Sequence, residues 1–537
     1  MSDAVATDSA AAAGNAATTN DHLPVSPLPV PPLVSDDLQA LLTRLQLRFV
    51  LRSPRSMWLG RPMLLQRELA WTDVLGAHIL TADGEHVDAP LAASTGSAAA
   101  TYLLGVFACQ AKHQRKGKHA LKKRRLLELF FQFRGEQMAD VEQLRRWINY
   151  LADPRSASQR CKAQSVVALT PEERAPRRFL VLINPVGGAG KGVQTYENKV
   201  APVFRYAGID ANVQVTTHAG HATDVIKALP LNFYDCVLSV GGDGSLSEII
   251  QGLMSRPDWN RAIRQPIGIV PSGSGNGLAH SILHQSQEKA AVLNAAFVLA
   301  KGAPHDIDIA SVRNSQNDTM YSFLSLEWAA IADVDMVSEK LRALGSLRFG
   351  VGFAHHIFFT KKDYAGTLWY LEDDDAATPP ARYFETHDPD SAAYPALDLI
   401  ACDPHDAQAL GGTWREVTGN FHLLWVMSIT HAAGDAFVAP HAQLDDGYNY
   451  ITYMDANECA RSALVPMLLA MEHGEHVARE SVRHVRTRAY KLQPARPDDA
   501  LCVDGELFPG PALESQVHRG LGRVLTLPRT LESDDSG

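Results

Sequence analysis

Residues 178–192 read RFLVLINPVGGAGKG, a short apolar run that breaks into four glycines around Lys191. A run of that length ending in glycine has the pattern of a buried strand opening into a tight turn, and such turns commonly cradle phosphates. Neither common phosphate pattern fits. Gly192 stands where a Walker loop requires Ser or Thr after its lysine, and glycines at 187, 188, 190 and 192 do not spell GxGxxG. The surroundings decide the fold. A helix near YENKVAPVFRYAG, strand ANVQVTT, helix ATDVIKALP, strand YDCVLSVGG, helix SLSEIIQGLMS and strand PIGIVPSG follow in alternation. This order predicts an α/β domain with a mainly parallel, doubly wound sheet over 177–305, with ligands at the carboxyl ends of the strands.

Two more glycine turns fall at such ends. SVGGDGSLSE (239–248) places Gly241, Gly242 and Gly244 around Asp243, and PSGSGNGLA (271–279) adds Ser274 and Asn276 as side-chain donors. A carboxylate among phosphates repels them unless it binds magnesium or takes a proton from an attacking hydroxyl. The plainer reading of Asp243 is an Asx turn that caps the following helix.

Taken in order, NPVGGAGKG, TTHAGHA, GGDGSLSE and PSGSGNGLA resemble the catalytic domain shared by diacylglycerol kinases and sphingosine kinases. SLEWAAIADVDMVSEKLRALGSLRF (325–349), FVAPHA (437–442), LAMEHGEH (469–476) and VDGE (503–506) are similar to sphingosine kinases specifically. The resemblance spans about 177–362 and 417–527. It implies an ATP-dependent lipid kinase acting on the primary hydroxyl of sphingosine-like long-chain bases, with Asp243 as catalytic base. Asn184, Gly187, Gly188, Thr216, Gly241, Gly242, Gly244, Glu248, Gly273, Ser274 and Gly275 would then line the nucleotide, and Asp504, Gly505 and Glu506 a loop beside it. Arg342 and Arg348 would hold the ATP phosphates, and Ser325 and Asp335 the lipid headgroup. Mg²⁺ would arrive with ATP, with Asp243 or Asp504 as its protein ligand. Diacylglycerol or ceramide kinase activity, and a catalytically dead lipid-binding scaffold, stand as alternatives.

The chain departs from the family in places. Val186 replaces a basic residue of many relatives, Gly241 a frequent serine, and Ala329-Ala330 a glycine-containing pair, while Glu327 adds an acid beside the lipid site.

Outside the kinase-like region the 537 residues give less. Residues 1–37 are Ala/Ser/Thr-rich and end in PVSPLPVPPL, the composition of a disordered tail. From 38 to 156, LQLRFVLR, MLLQREL, ATYLLGVFAC and LLELFFQF read as strands, and DVEQLRRWINYLAD as a closing helix with Leu144, Trp147, Ile148 and Leu151 on one face. That order resembles a pleckstrin-homology-like domain, joined by a linker at 157–176. The basic run Lys112 to Arg125 would attract an anionic membrane surface, unless it is a solvated hairpin loop. Residues 306–530 are strand-rich and predict a mostly antiparallel β-sandwich that binds the lipid, with an exposed acidic insertion at about 372–415. A net charge of −10 gives no footprint for nucleic acid, six scattered cysteines suit a reducing compartment, and the first residues lack a secretory pattern. The longest apolar runs stop at about half a membrane span. A cytoplasmic protein with reversible membrane association is expected.

Overall fold

The computed structural model describes residues 39–42, 46–58, 61–87, 100–112, 121–163, 169–273, 275–339, 362–373, 379–401 and 412–528. The run quoted above forms strand Arg177–Ile183, which pairs in parallel with Ile209–Val215 on one side and Cys236–Gly241 on the other. Strand Ile267–Pro271 continues the parallel set, with Val270 opposite Val240. Alternation then sorts the side chains. Leu180 and Leu182 face one core with helices His221–Lys227, Asp243–Met254 and Gly277–Gln285. Phe179, Val181 and Ile183 face the other, against Val200, Phe204 and helix Val292–Lys301. Both faces are covered, as the near-continuous apolar strands require. The first helix carries a π turn at Tyr196–Val200, just before Pro202, which has no N–H to continue an α ladder.

The antiparallel half is joined to this sheet. The C-terminal strand Leu513–Thr526 pairs in parallel with Ile267–Pro271, and antiparallel with Ala303–Asn314 and Ala489–Pro494. From Ala489–Pro494 the sheet runs on through Tyr364–Asp373, Gly412–Met427 and Ser325–Ala329. The division expected at 305 therefore falls inside a strand. Composition changes there, but the backbone ladder does not stop.

The N-terminal region is β-rich, as expected. One three-stranded sheet holds Gln39–Leu42, Gln46–Trp58 and Arg61–Ala70; a second holds Val74–Thr81, Thr101–Lys112 and Lys123–Arg134. Helix Met138–Ala152 closes the second sheet, burying Ile148 and Leu151 against Trp71, Ile79 and Phe131, with Leu144 and Trp147 half-buried beside them. The β-rich region packs on the α/β part: the Phe107 ring stacks on Tyr206 with centroids 3.8 Å apart.

One expectation needs correction. Arg124 is not available to headgroups, because it is buried between Asp73 and Glu288; residues 113–120 of the basic run lie outside the described residues. The described part of the acidic insertion is largely exposed, as expected, and is anchored at a few points. Arg382 pairs with Asp306 and Asp445, Tyr383 is buried, and the Trp259 indole donates to Ala392 O at 3.0 Å. Among the described residues, no helix is long and apolar enough to cross a membrane.

Candidate active site

The three glycine turns meet at the carboxyl ends of the parallel strands, and they pack directly on one another. Gly188 has φ +57°, and a Cβ there would strike the Ser272 carbonyl. A Cβ on Gly273 would stand 2.5 Å from Gly242 Cα. These glycines are needed because backbone meets backbone, before any ligand is considered. Asn276, in the left-handed region at φ +62°, ties the third turn to itself: its Oδ1 accepts from Gly273 N at 3.0 Å and its Nδ2 donates to Gly273 O at 2.8 Å. Ser274 lies outside the described residues.

Several N–H groups expected to face phosphate are already engaged. Asn184 Oδ1 accepts from Val186 N and Gly187 N at 3.0 and 3.1 Å, while its Nδ2 donates to Ser245 Oγ at 3.0 Å. Gly241 does not line the cavity; its carbonyl accepts from Ser272 N and Gly273 N. A side chain at 241 would press on Ser245 and Ser239, so this glycine serves the packing of the turn. Lys191 is also absent from the cavity wall, whereas the exposed Val186 is part of it.

Asp243 opens helix Asp243–Met254, and its carboxylate reaches across to the start of the next helix. Oδ2 accepts from Gly277 N at 2.6 Å and Oδ1 from Leu278 N at 3.1 Å, at the positive end of Gly277–Gln285. The helix cap expected of Asp243 is thus real, but on the following helix rather than its own. Burial raises its pKa to about 6, against the lowering effect of those two N–H groups; the nearby Asp504 charge adds to the rise.

Asp504 and Gly505 form the hairpin turn between Cys502–Val503 and Glu506–Leu507, with φ +53° and +81° as a type I′ turn requires. Asp504 accepts from Ser322 Oγ (2.6 Å), Leu324 N (3.1 Å), Ser325 N (3.0 Å) and Phe323 N (3.3 Å). Four donors occupy this carboxylate, so it fits an anchor for the 322–325 turn better than a metal ligand. Among the described residues, no three His, Cys, Asp or Glu side chains are grouped to hold a metal ion. Sequence reasoning missed this anchoring role, because the donors lie about 180 residues upstream.

All these turns border one cavity of about 1840 Å³. Asn184, Gly187, Gly188, Thr216, Gly242, Asp243, Gly244, Glu248, Gly273, Gly275, Asp504, Gly505 and Glu506 line it toward the strand ends. Thr216 is fixed by hydrogen bonds to Ile183 O, and Glu248 accepts from Ala222 N at 3.2 Å. The same cavity is also lined by Ser325, Glu327 and Asp335, and by the apolar Leu324, Ile331, Val465, Leu468, Leu469 and Met471. Of this last group, Leu469 and Met471 fall in the LAMEHGEH stretch, whereas Val465 and Leu468, earlier in helix Leu464–Met471, carried no motif. Arg342 and Arg348 lie outside the described residues.

Residues 178–312 match the model of the diacylglycerol kinase catalytic domain, and 405–526 that of the YegS C-terminal NAD kinase beta sandwich-like domain. A glycine-turn α/β unit coupled to an antiparallel sheet, with one cavity lined by acidic and apolar side chains, is, on that match, a lipid kinase. The chain is 32% identical over 357 residues to sphingosine kinase 1 of Mus musculus, covering 64% of this chain and 89% of that protein. It is 29% identical over 472 residues to sphingosine kinase 2 of Homo sapiens (66% and 71% covered), and 26% over 385 residues to sphingoid long chain base kinase 4 of Schizosaccharomyces pombe (71% and 81%). The chain belongs to the sphingosine kinase family.

Proposed function

We propose that the protein transfers the γ-phosphoryl group of ATP to the primary hydroxyl of a sphingosine-like long-chain base, giving its 1-phosphate. The observation that carries this reading is the charge of the cavity. Eight carboxylates line it, Asp243, Glu248, Glu327, Asp335, Asp435, Glu472, Asp504 and Glu506, with no Lys or Arg among the described lining residues. Such a wall favours a lipid with an ammonium headgroup and offers nothing comparable to neutral diacylglycerol or ceramide.

The same charge opposes ATP, so cations must accompany it. Mg²⁺ bound to the phosphates would neutralise part of their charge. Arg342 and Arg348 are the residues assigned to meet the rest. Asp243 is held by two N–H groups with its oxygens toward the turns, and is ionised at neutral pH. In the transfer, the lipid hydroxyl oxygen bonds to the γ-phosphorus as the bond to the β–γ bridging oxygen breaks. The hydroxyl proton passes to Asp243, and ADP leaves. The apolar side chains of the lining, among them Ile331, Val465, Leu468 and Leu469, would take the hydrocarbon chain.

Purified protein given labelled ATP and a mixture of sphingosine, ceramide and diacylglycerol is expected to label the sphingosine product. Label on the neutral lipids with none on sphingosine overturns the substrate assignment while leaving the lipid kinase intact. Reversible membrane association remains part of the proposal. Within the basic run it now rests on Lys122, Lys123, Arg125 and the residues between 113 and 120, without Arg124.

A further inference from the structure

Glu327 lies two residues from Ser325, one of the two residues assigned to the lipid headgroup, and its surroundings are unusual. It sits in strand Ser325–Ala329, one pleat on from Ser325 and therefore on the same face, lining the cavity. The residue is 7% exposed, and its Oε2 has no hydrogen-bond partner among the described residues. Directly across the ladder is Trp425, which also lines the cavity; its indole and the Ser325 side chain lie close enough to Glu327 to favour its charge, but no hydrogen bond of good geometry reaches Trp425 Nε1 or Glu327 Oε2 among the described residues. A buried carboxylate oxygen and a buried indole N–H left unmade are each costly, and both border the space a ligand would fill. Asp335 borders the same part of the cavity.

We infer that Glu327 is a specificity-determining residue that receives the ammonium of the lipid headgroup beside Asp335, while Trp425 donates to a neighbouring hydroxyl, so that the cavity selects an amino alcohol. This rests on the long-chain-base reading above and extends it beyond the two residues assigned to the headgroup. The chemistry is complementary: an ammonium supplies donors to two carboxylates, and the vicinal hydroxyl oxygen accepts from the indole. Burial, reinforced by the charge of Asp335, pushes the Glu327 carboxyl well above its ordinary range.

The test uses the full chain with Glu327→Gln, which keeps the side-chain size and removes the charge, and Glu327→Asp, which keeps the charge. The binding probes are dodecylamine and dodecanol below their aggregation concentrations, followed by calorimetry. Wild type is expected to prefer the amine by about tenfold or more, the preference to collapse in Glu327→Gln, and Glu327→Asp to retain most of it. In turnover, Glu327→Gln is expected to raise the KM for sphingosine by about tenfold with the KM for ATP unchanged. An amine preference in Glu327→Gln equal to that of wild type overturns the inference, as does wild-type protein that binds the two probes alike. Wild type that prefers the amine but phosphorylates no long-chain base would instead overturn the proposed function and leave the cation site standing.

Discussion

Asp243 holds a balance between two opposing effects. Burial destabilises its charge, two backbone N–H groups at a helix start stabilise it, and the result is a carboxyl of pKa about 6. Asp504, nearby and also buried, is raised to about 6 as well. A folded-state pKa above the unfolded value means that the folded protein binds the proton more tightly. For these two groups, stability is therefore greatest below about pH 4 and falls as pH rises through 6. Activity should move the other way, because the base must be ionised. The kcat/KM profile is expected to rise through about pH 6, and Asp243→Asn to lose at least 10²-fold in kcat, roughly the yield of general base catalysis, with substrate KM values little changed. A flat profile from pH 5 to 8, or an active Asn variant, would remove Asp243 from the base role. At this scale the sequence was informative where chemistry is local: Asp243 and the glycines around it were legible as a group. It was silent on neighbours brought by the fold. A glycine that makes room for a ligand and one that makes room for a backbone are written alike, which is why Gly241 was placed at the phosphates. Burial is equally invisible in a basic run, so Arg124 was counted with its exposed neighbours.

At the scale of elements, the junction between strand Ser325–Ala329 and helix Ala330–Glu339 shows a cost carried by this chain. Ala329 has φ +64°, a left-handed conformation that crowds its Cβ. The conformation costs alanine about 1–2 kcal/mol, while glycine loses roughly 0.5–1 kcal/mol more chain entropy on folding. The difference favours glycine by about 0.5–1 kcal/mol. Ala329→Gly is expected to raise the midpoint of urea unfolding with an unchanged slope; a lowered midpoint would show that the alanine methyl contributes more packing than strain. The parallel strands were legible because each is a short apolar run closed by glycine. The helices Gly277–Gln285 and Val292–Lys301 were passed over, one beginning inside a glycine turn and the other lying in an apolar stretch without a clear polar face. Strand Ala303–Asn314 was legible as a β segment but its partner was not: its ladder is made with Leu513–Thr526, whose residues come about 200 positions later.

For the whole molecule, the question is how three regions of different composition become one unit. Leu513–Thr526 ties the parallel strands to the antiparallel half by pairing with both. The N-terminal region is tied by buried polar groups that no local pattern announces. Arg124 donates from Nε and Nη2 to Glu288 Oε1 at 2.8 and 2.6 Å, and from Nη1 to Asp73 Oδ1 at 2.8 Å and Cys109 O at 2.6 Å; its guanidinium lies 3.5 Å from the centre of the Phe297 ring. Glu288 Oε2 accepts from Asn294 Nδ2 at 2.8 Å, so both of its oxygens are satisfied. Lys301, at the end of the helix carrying Phe297, donates to the carbonyls of Trp71, Val74 and Ala152 in the N-terminal region. A fully satisfied buried pair is often no more stable than a well-packed apolar substitute, but removing one partner strands a charge and costs about 3–5 kcal/mol. Arg124→Ala should therefore lower unfolding stability by that amount. Arg124→Met paired with Glu288→Leu should recover most of it, since neither residue of the buried pair is then left charged. Denaturant unfolding of the two variants measures the difference, and a loss below about 1 kcal/mol in Arg124→Ala would mean that the contact is solvated and the N-terminal region only loosely attached. Because Lys122 O also accepts from Lys289 N and Asn294 Nδ2, the end of the basic run is fastened to the segment that follows helix Gly277–Gln285. The opposite end of that helix holds Asp243, so a full loss in Arg124→Ala should come with a lower kcat at temperatures well below the melting point.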